Sequence, residues 1–65
     1  MDQAARLVMV VDDDREVRRM LSQSLAMDGF AVVEARHGAA AVTLLSAGAR
    51  PALILLDLVM PQMDG

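Results

Sequence analysis

LVMVVDDD, residues 7–14, is the stretch on which the fold turns. Its first five residues are all apolar and three are valine, and they run directly into three aspartates. A strand with one wet face alternates apolar with polar residues, and residues 7–11 do not. They read as a strand buried on both faces, which makes it central in a parallel sheet.

Outward from that strand, Val17, Met20, Leu21 and Leu25 recur at helical spacing, with Arg15, Glu16, Arg18, Arg19, Ser22 and Gln23 on the other face. This predicts an amphipathic helix of about three turns. Asp13 or Asp14 suits its N-cap, and Gly29 follows its end as a stop. FAVVEA, residues 30–35, is less uniformly apolar and predicts a strand nearer the sheet edge. His37 and Gly38 supply a turn, and residues 39–48 predict a second helix with Gly48 at its C-terminal end. ALILLD, residues 52–57, enters after Pro51 and is apolar on both faces, so it too is expected to be central. Strand, helix, strand, helix, strand with crossovers of this length makes a (βα)2β half of an open α/β sheet.

Composition narrows the function classes. A chain of 65 residues forms one small domain at most, burying only roughly 60% of the surface it exposes unfolded. The absence of cysteine excludes disulfides and thiolate metal sites. Hydrophobic residues make up 55% of the chain, yet no run approaches the ~18 apolar residues of a membrane span. No basic segment followed by an apolar one opens the chain, so a cytoplasmic location is expected. All six basic residues are arginines, too scattered for a nucleic-acid footprint. Of the nine acids, Asp12, Asp13, Asp14 and Asp57 stand at the ends of apolar runs, so the net charge of −3 is local and points to a site.

Ligands of open α/β sheets bind outside the carboxyl ends of the strands, where the strand order reverses. If the first strand lies between the other two, Asp12, Asp13 and Asp57 converge on one crevice. Clustered carboxylates repel, and a hard divalent cation with oxygen ligands resolves the repulsion; Mg²⁺ suits few carboxylates and keeps positions open for a phosphate oxygen. A carboxylate beside Mg²⁺ can also attack a phosphoryl group and carry it as an aspartyl phosphate. Asp57, alone at a strand end, is the candidate nucleophile; Asp12 and Asp13 form a pair suited to metal. The plainer roles are a helix cap for the Asp12–Asp14 run and a turn for Asp57. His37, the sole histidine, fits a turn or cap better than a ligand or phosphate carrier. Met9 and Met20 fall at core positions, and Met60 and Met63 fit a loop, so packing accounts for the methionines better than a soft metal site. Ala39, Ala40 and Ala41 offer a small, uncharged face.

VMVVDDDREVRRMLSQSL, the Asp28-Gly29-Phe30 turn and ALILLDLVMPQMDG together resemble the first half of a response regulator receiver domain of bacterial two-component signalling. The closing D-x-x-M-P-x-M-D-G pattern, Asp57 to Gly65, is highly characteristic. The resemblance covers nearly the whole chain. It implies a flavodoxin-like sheet of order 2-1-3-4-5 truncated to its first half, with residues 1–65 as a partial receiver domain. It implies that Asp57 is the phosphoacceptor and that Asp12 and Asp13 bind Mg²⁺. Asp13 and Asp57 would be direct ligands, Asp12 would act through water, and the Val59 carbonyl would add an oxygen. Met60 and Pro61 match the loop at the crevice mouth. The phosphoryl donor would be a phosphohistidine on a histidine kinase or phosphotransfer protein, and the chain is expected to be a phosphoacceptor and not an enzyme.

A complete receiver is about twice as long. The hydroxyl residue of the fourth strand and the lysine of the fifth have no position here, so a fragment with impaired transfer is expected. Truncation would expose ALILL as an apolar sheet edge and favour a dimer through that edge. An interaction module that docks on a kinase without accepting phosphate is the alternative. An Mg²⁺-dependent phosphatase is disfavoured because Val59 stands where such sites place a second acid.

Overall fold

The computed structural model describes residues 6–56. Five elements follow one another: β1 (Leu7–Val11), α1 (Arg15–Met27), β2 (Ala31–Ala35), α2 (Gly38–Ser46) and β3 (Leu53–Leu56). The three strands are parallel in the order β2-β1-β3, so the architecture is the expected (βα)2β half of an open α/β sheet. Leu7 to Val11 of β1 pair with Ala31 to Ala35, and Val8 to Val11 pair with Leu53 to Leu56. The central strand is the one that sequence placed there: Met9 is fully buried, and Val8 and Val10 nearly so.

Side chains alternate across β1. Met9 and Val11 enter a core with Ala35 and Ala41, against which Val33, Ala40, Leu44 and Leu45 pack, so α2 covers that face. Val8 and Val10 point to the opposite face, where Leu21 of α1 joins Val10 and Leu55 along one groove.

Both helices end in the same motif. The Gly29 N–H donates to the Ala26 carbonyl and the Phe30 N–H to that of Leu25; Gly48 and Ala49 repeat the pattern on Leu45 and Leu44. These are Schellman closures, which need a left-handed residue, and Gly29 and Gly48 supply φ of 96° and 115°. At the other end of α2, His37 is the cap: its Nδ1 accepts the Ala40 N–H at 3.0 Å.

Two expectations change. β3 was expected to be central, but in the described sheet it is an outer strand, with Leu53, Ile54 and Leu56 exposed. Helix α1 is also turned on its axis. Its deepest side chains are Ser22, which is buried, and Arg18 and Leu25, which are half-buried; Met20 is 64% exposed. Residues 18, 22 and 25 form one stripe at helical spacing. Two polar contacts of Arg18 with the sheet, described below, hold the helix in that orientation, and the Val17–Leu21 flank is left beside it.

The Ser22 hydroxyl is buried, and no partner among the described residues satisfies it. Ser22→Ala is therefore expected to raise stability by roughly 1 kcal/mol, because a desolvation cost disappears with no hydrogen bond lost. Urea denaturation at unchanged m-value checks this. A fall of similar size would show that the hydroxyl has a partner in solution.

Candidate functional site

In-register pairing of Val11 with Leu56 brings the carboxyl ends of β1 and β3 side by side. Asp12 follows the first and Asp57 the second in sequence. Asp57 and Val59 lie outside the described residues, as do Met60, Pro61 and Met63. Of the residues that sequence assigned to the site, Asp12 and Asp13 are therefore the ones whose geometry can be given.

Asp12 is only 6% exposed. A carboxylate is seldom buried without partners that offset its desolvation, and the backbone around Asp12 is accordingly well tied. Its N–H donates to the Ala35 carbonyl at 3.1 Å, carrying the β1–β2 ladder one residue beyond the strand. Its Oδ1 accepts the Asp14 N–H at 2.9 Å, an Asx-type turn that bends the chain toward α1. Oδ2 is not used in that contact. Asp14 in turn caps α1: its Oδ1 accepts the N–H groups of Glu16 at 2.9 Å and Val17 at 3.2 Å. Asp14, and not Asp13, is the cap. Asp13 stands exposed between the two.

The aspartate run thus separates into different tasks by position. One carboxylate is held at the end of the central strand, one faces solvent beside it, and one closes the helix. The groove next to Asp12 has a volume of about 320 Å³ and is walled by Val10, Val11, Leu21, Leu55 and Leu56, so the carboxylate stands at the rim of an apolar trough.

Arg18 is the participant that periodicity alone missed. It lies one turn inside α1, and helical side chains lean toward the N-terminus. Its Nη1 donates to the Asp12 carbonyl at 2.8 Å and its Nε to Glu34 Oε1 at 3.0 Å. The Arg18 side chain is 14% exposed and that of Glu34 32%, a half-buried ion pair between α1 and β2. A signal did exist: Glu34 is a lone charge inside FAVVEA, and a charge in a largely apolar strand requires a partner.

Hard oxygen donors suit Mg²⁺, and Asp12 and Asp13 offer them at one strand end. The donor chemistry fits the ion. Among the described residues no group of three ligating side chains assembles, so further donors must come from outside them.

The family model of the response regulator receiver domain matches residues 8–65. Among curated proteins, the chain is 45% identical over 58 residues to Response regulator MprA of Mycobacterium sp. (strain KMS), and equally so to that of Mycolicibacterium vanbaalenii. It is 43% identical to Response regulator MprA of Mycobacterium tuberculosis. Each alignment covers 89% of this chain and 25% of the relative, so the chain spans about a quarter of the length of the curated relatives it matches. No solved structure matches. The family match corrects the expectation that the chain is not an enzyme: receiver domains of response regulators accept phosphoryl groups themselves, which is chemistry carried out on the domain.

The division of tasks within the run is testable. Asp14→Ala is expected to cost about 1 kcal/mol of stability by uncapping α1, with Mg²⁺ affinity little changed. Asp12→Asn keeps an oxygen for the Asp14 N–H and should do the reverse, holding the melting temperature while weakening Mg²⁺ binding. Calorimetric melts and Mg²⁺ titrations of the same samples check both.

Proposed function

This chain belongs to the response regulator receiver domain family, and from that premise we propose that it is a phosphoacceptor of a two-component phosphorelay, with Asp57 receiving the phosphoryl group. Domains of this family interact with histidine kinases or phosphotransfer proteins and generally bind Mg²⁺ at the phosphorylation site. The observation that carries the proposal is Asp12, buried and tied at the end of the central strand, one strand away from the end that precedes Asp57.

In the proposed reaction a carboxylate oxygen of Asp57 attacks the phosphorus of a partner's phosphohistidine. The new P–O bond forms as the P–N bond breaks, and the imidazole leaves with its electron pair. Asp12, Asp13, Asp57 and the Val59 carbonyl are proposed to hold Mg²⁺, which supplies neutralisation of phosphoryl charge when bound. The half-sheet's part is to deliver the Asp12 carboxylate already ordered, because reorganising carboxylates during the reaction would raise the barrier. No helix among the described residues is long and apolar enough to cross a membrane.

A second copy of the chain is proposed as a further partner. Among the described residues β3 is an outer strand with Leu53, Ile54 and Leu56 exposed, and none of Leu53–Leu56 bears the charge that ordinarily deters edge pairing. A two-fold axis normal to the sheet would pair β3 antiparallel with its copy.

Incubation with a small phosphodonor and Mg²⁺ is expected to label the chain with acid-labile, hydroxylamine-sensitive phosphate, and Asp57→Asn to abolish it. Label surviving in Asp57→Asn would refute the assignment. Unaltered kinase binding with no label on the native chain would favour the docking module instead. Sedimentation should show a concentration-dependent dimer that Ile54→Arg converts to monomer. A native chain that stays monomeric over the same range would remove the β3 interface.

A further inference from the structure

Taking the phosphoacceptor role proposed above as its basis, we infer that Arg18 and Glu34 form a positioning clamp that sets the geometry and charge of the acidic pair toward the divalent cation. Asp12 sits where the ladder ends, and a carbonyl at a strand end has lost its ladder partner. Arg18 Nη1 takes up that carbonyl at 2.8 Å and so fixes the peptide plane between Asp12 and Asp13. Fixing that plane limits the directions open to the Asp13 side chain. The Asp12 side chain is fixed separately by the Asp14 N–H, so the Asp12 carboxylate and the backbone that carries Asp13 are both held.

Glu34 has the second task. A guanidinium beside an acidic pair competes with a cation for its carboxylates unless its charge is met elsewhere. Glu34 projects from the same sheet face as its register partner Val10 and binds Nε at 3.0 Å, so the arginine charge is compensated on the β2 side and its Nη1 is directed to a carbonyl. Asp14 adds to the arrangement from the helix, since its carbonyl accepts the Arg18 N–H at 2.9 Å and sets where the arginine stem begins. The carboxyl ends of β1 and β2 and the first turn of α1 are thus joined at one guanidinium.

A planar fork with separated donors makes this possible, and a lysine ammonium cannot reach both partners in the same way. Arg18→Lys keeps charge and stem; Glu34→Gln keeps an acceptor oxygen and removes the compensating charge. Both are expected to lower Mg²⁺ affinity of the full chain about tenfold, as loss of groups that orient metal ligands does, with urea midpoints lowered by the broken ion pair but each variant still folded by its amide spectrum. The double variant should be no weaker than the weaker single one, because the two residues act as a unit. Without Mg²⁺, the amide resonances of Asp13 and Asp14 should already shift in Arg18→Lys. Titration calorimetry and amide spectra of the native chain and the three variants decide the matter. Native Mg²⁺ affinity in Glu34→Gln, or in a folded Arg18→Lys, would overturn the clamp and leave the phosphoacceptor role standing. A native chain that takes up no Mg²⁺ would overturn both.

Discussion

A strand covered on both faces and paired on both edges has no place for a charge until it ends. That constraint governs this protein. β1 lies between β2 and β3, with α1 over one face and α2 over the other, and its interior is valine and methionine throughout. The first carboxylate after it, Asp12, is consequently delivered to the carboxyl edge of the sheet while still nine-tenths buried. The chemistry follows from burial: a desolvated carboxylate held in one orientation is a far better partner for a hard cation than one free to rotate in water.

What happens after the strand end is a matter of hydrogen-bond accounting. Asp12 has to satisfy a ladder N–H, a carbonyl beyond the ladder and a carboxylate, and the chain provides for each from a different residue. Ala35 takes the N–H, Arg18 the carbonyl, and the Asp14 N–H binds one carboxylate oxygen. Asp14 then spends its own side chain on the first turn of α1. Among the described residues Asp13 alone of the three has no structural duty of this kind, and it is exposed. Adjacent identical residues acquire distinct roles because a strand end, a turn and a helix cap present three different sets of unpaired groups.

Much of the half-sheet was legible in the amino-acid order, because it depends on local chemistry. Five apolar residues in succession, three of them valine and the run far too short to span a membrane, read as a strand with no wet face; Gly29 and Gly48 mark helix ends because their closures need positive φ; His37 beside Gly38 announces a turn or cap. Boundaries shifted by a residue or two where caps took over, as with α2, which starts at Gly38 and ends at Ser46. The rotation of α1 was not legible. Its periodicity offers Val17, Met20, Leu21 and Leu25 as an apolar face, yet Arg18 and Ser22 lie deeper than Met20. Hydrophobic spacing records which side chains prefer to avoid water; it carries no information about an ion pair to a strand sixteen residues away.

Sequence by itself determined the element order, the parallel class, the central place of residues 7–11 and the candidacy of the aspartates at strand ends, since each follows from short-range pattern and residue chemistry. Tertiary structure alone decided which aspartate of the run is buried and which caps the helix, that β3 is an outer strand of the described sheet, and that Arg18 belongs to the acidic corner. Those outcomes depend on register, on the roll of a helix and on distances between segments far apart in the chain. A one-residue change in register or a quarter-turn of α1 would leave the sequence pattern intact and would move every one of those contacts.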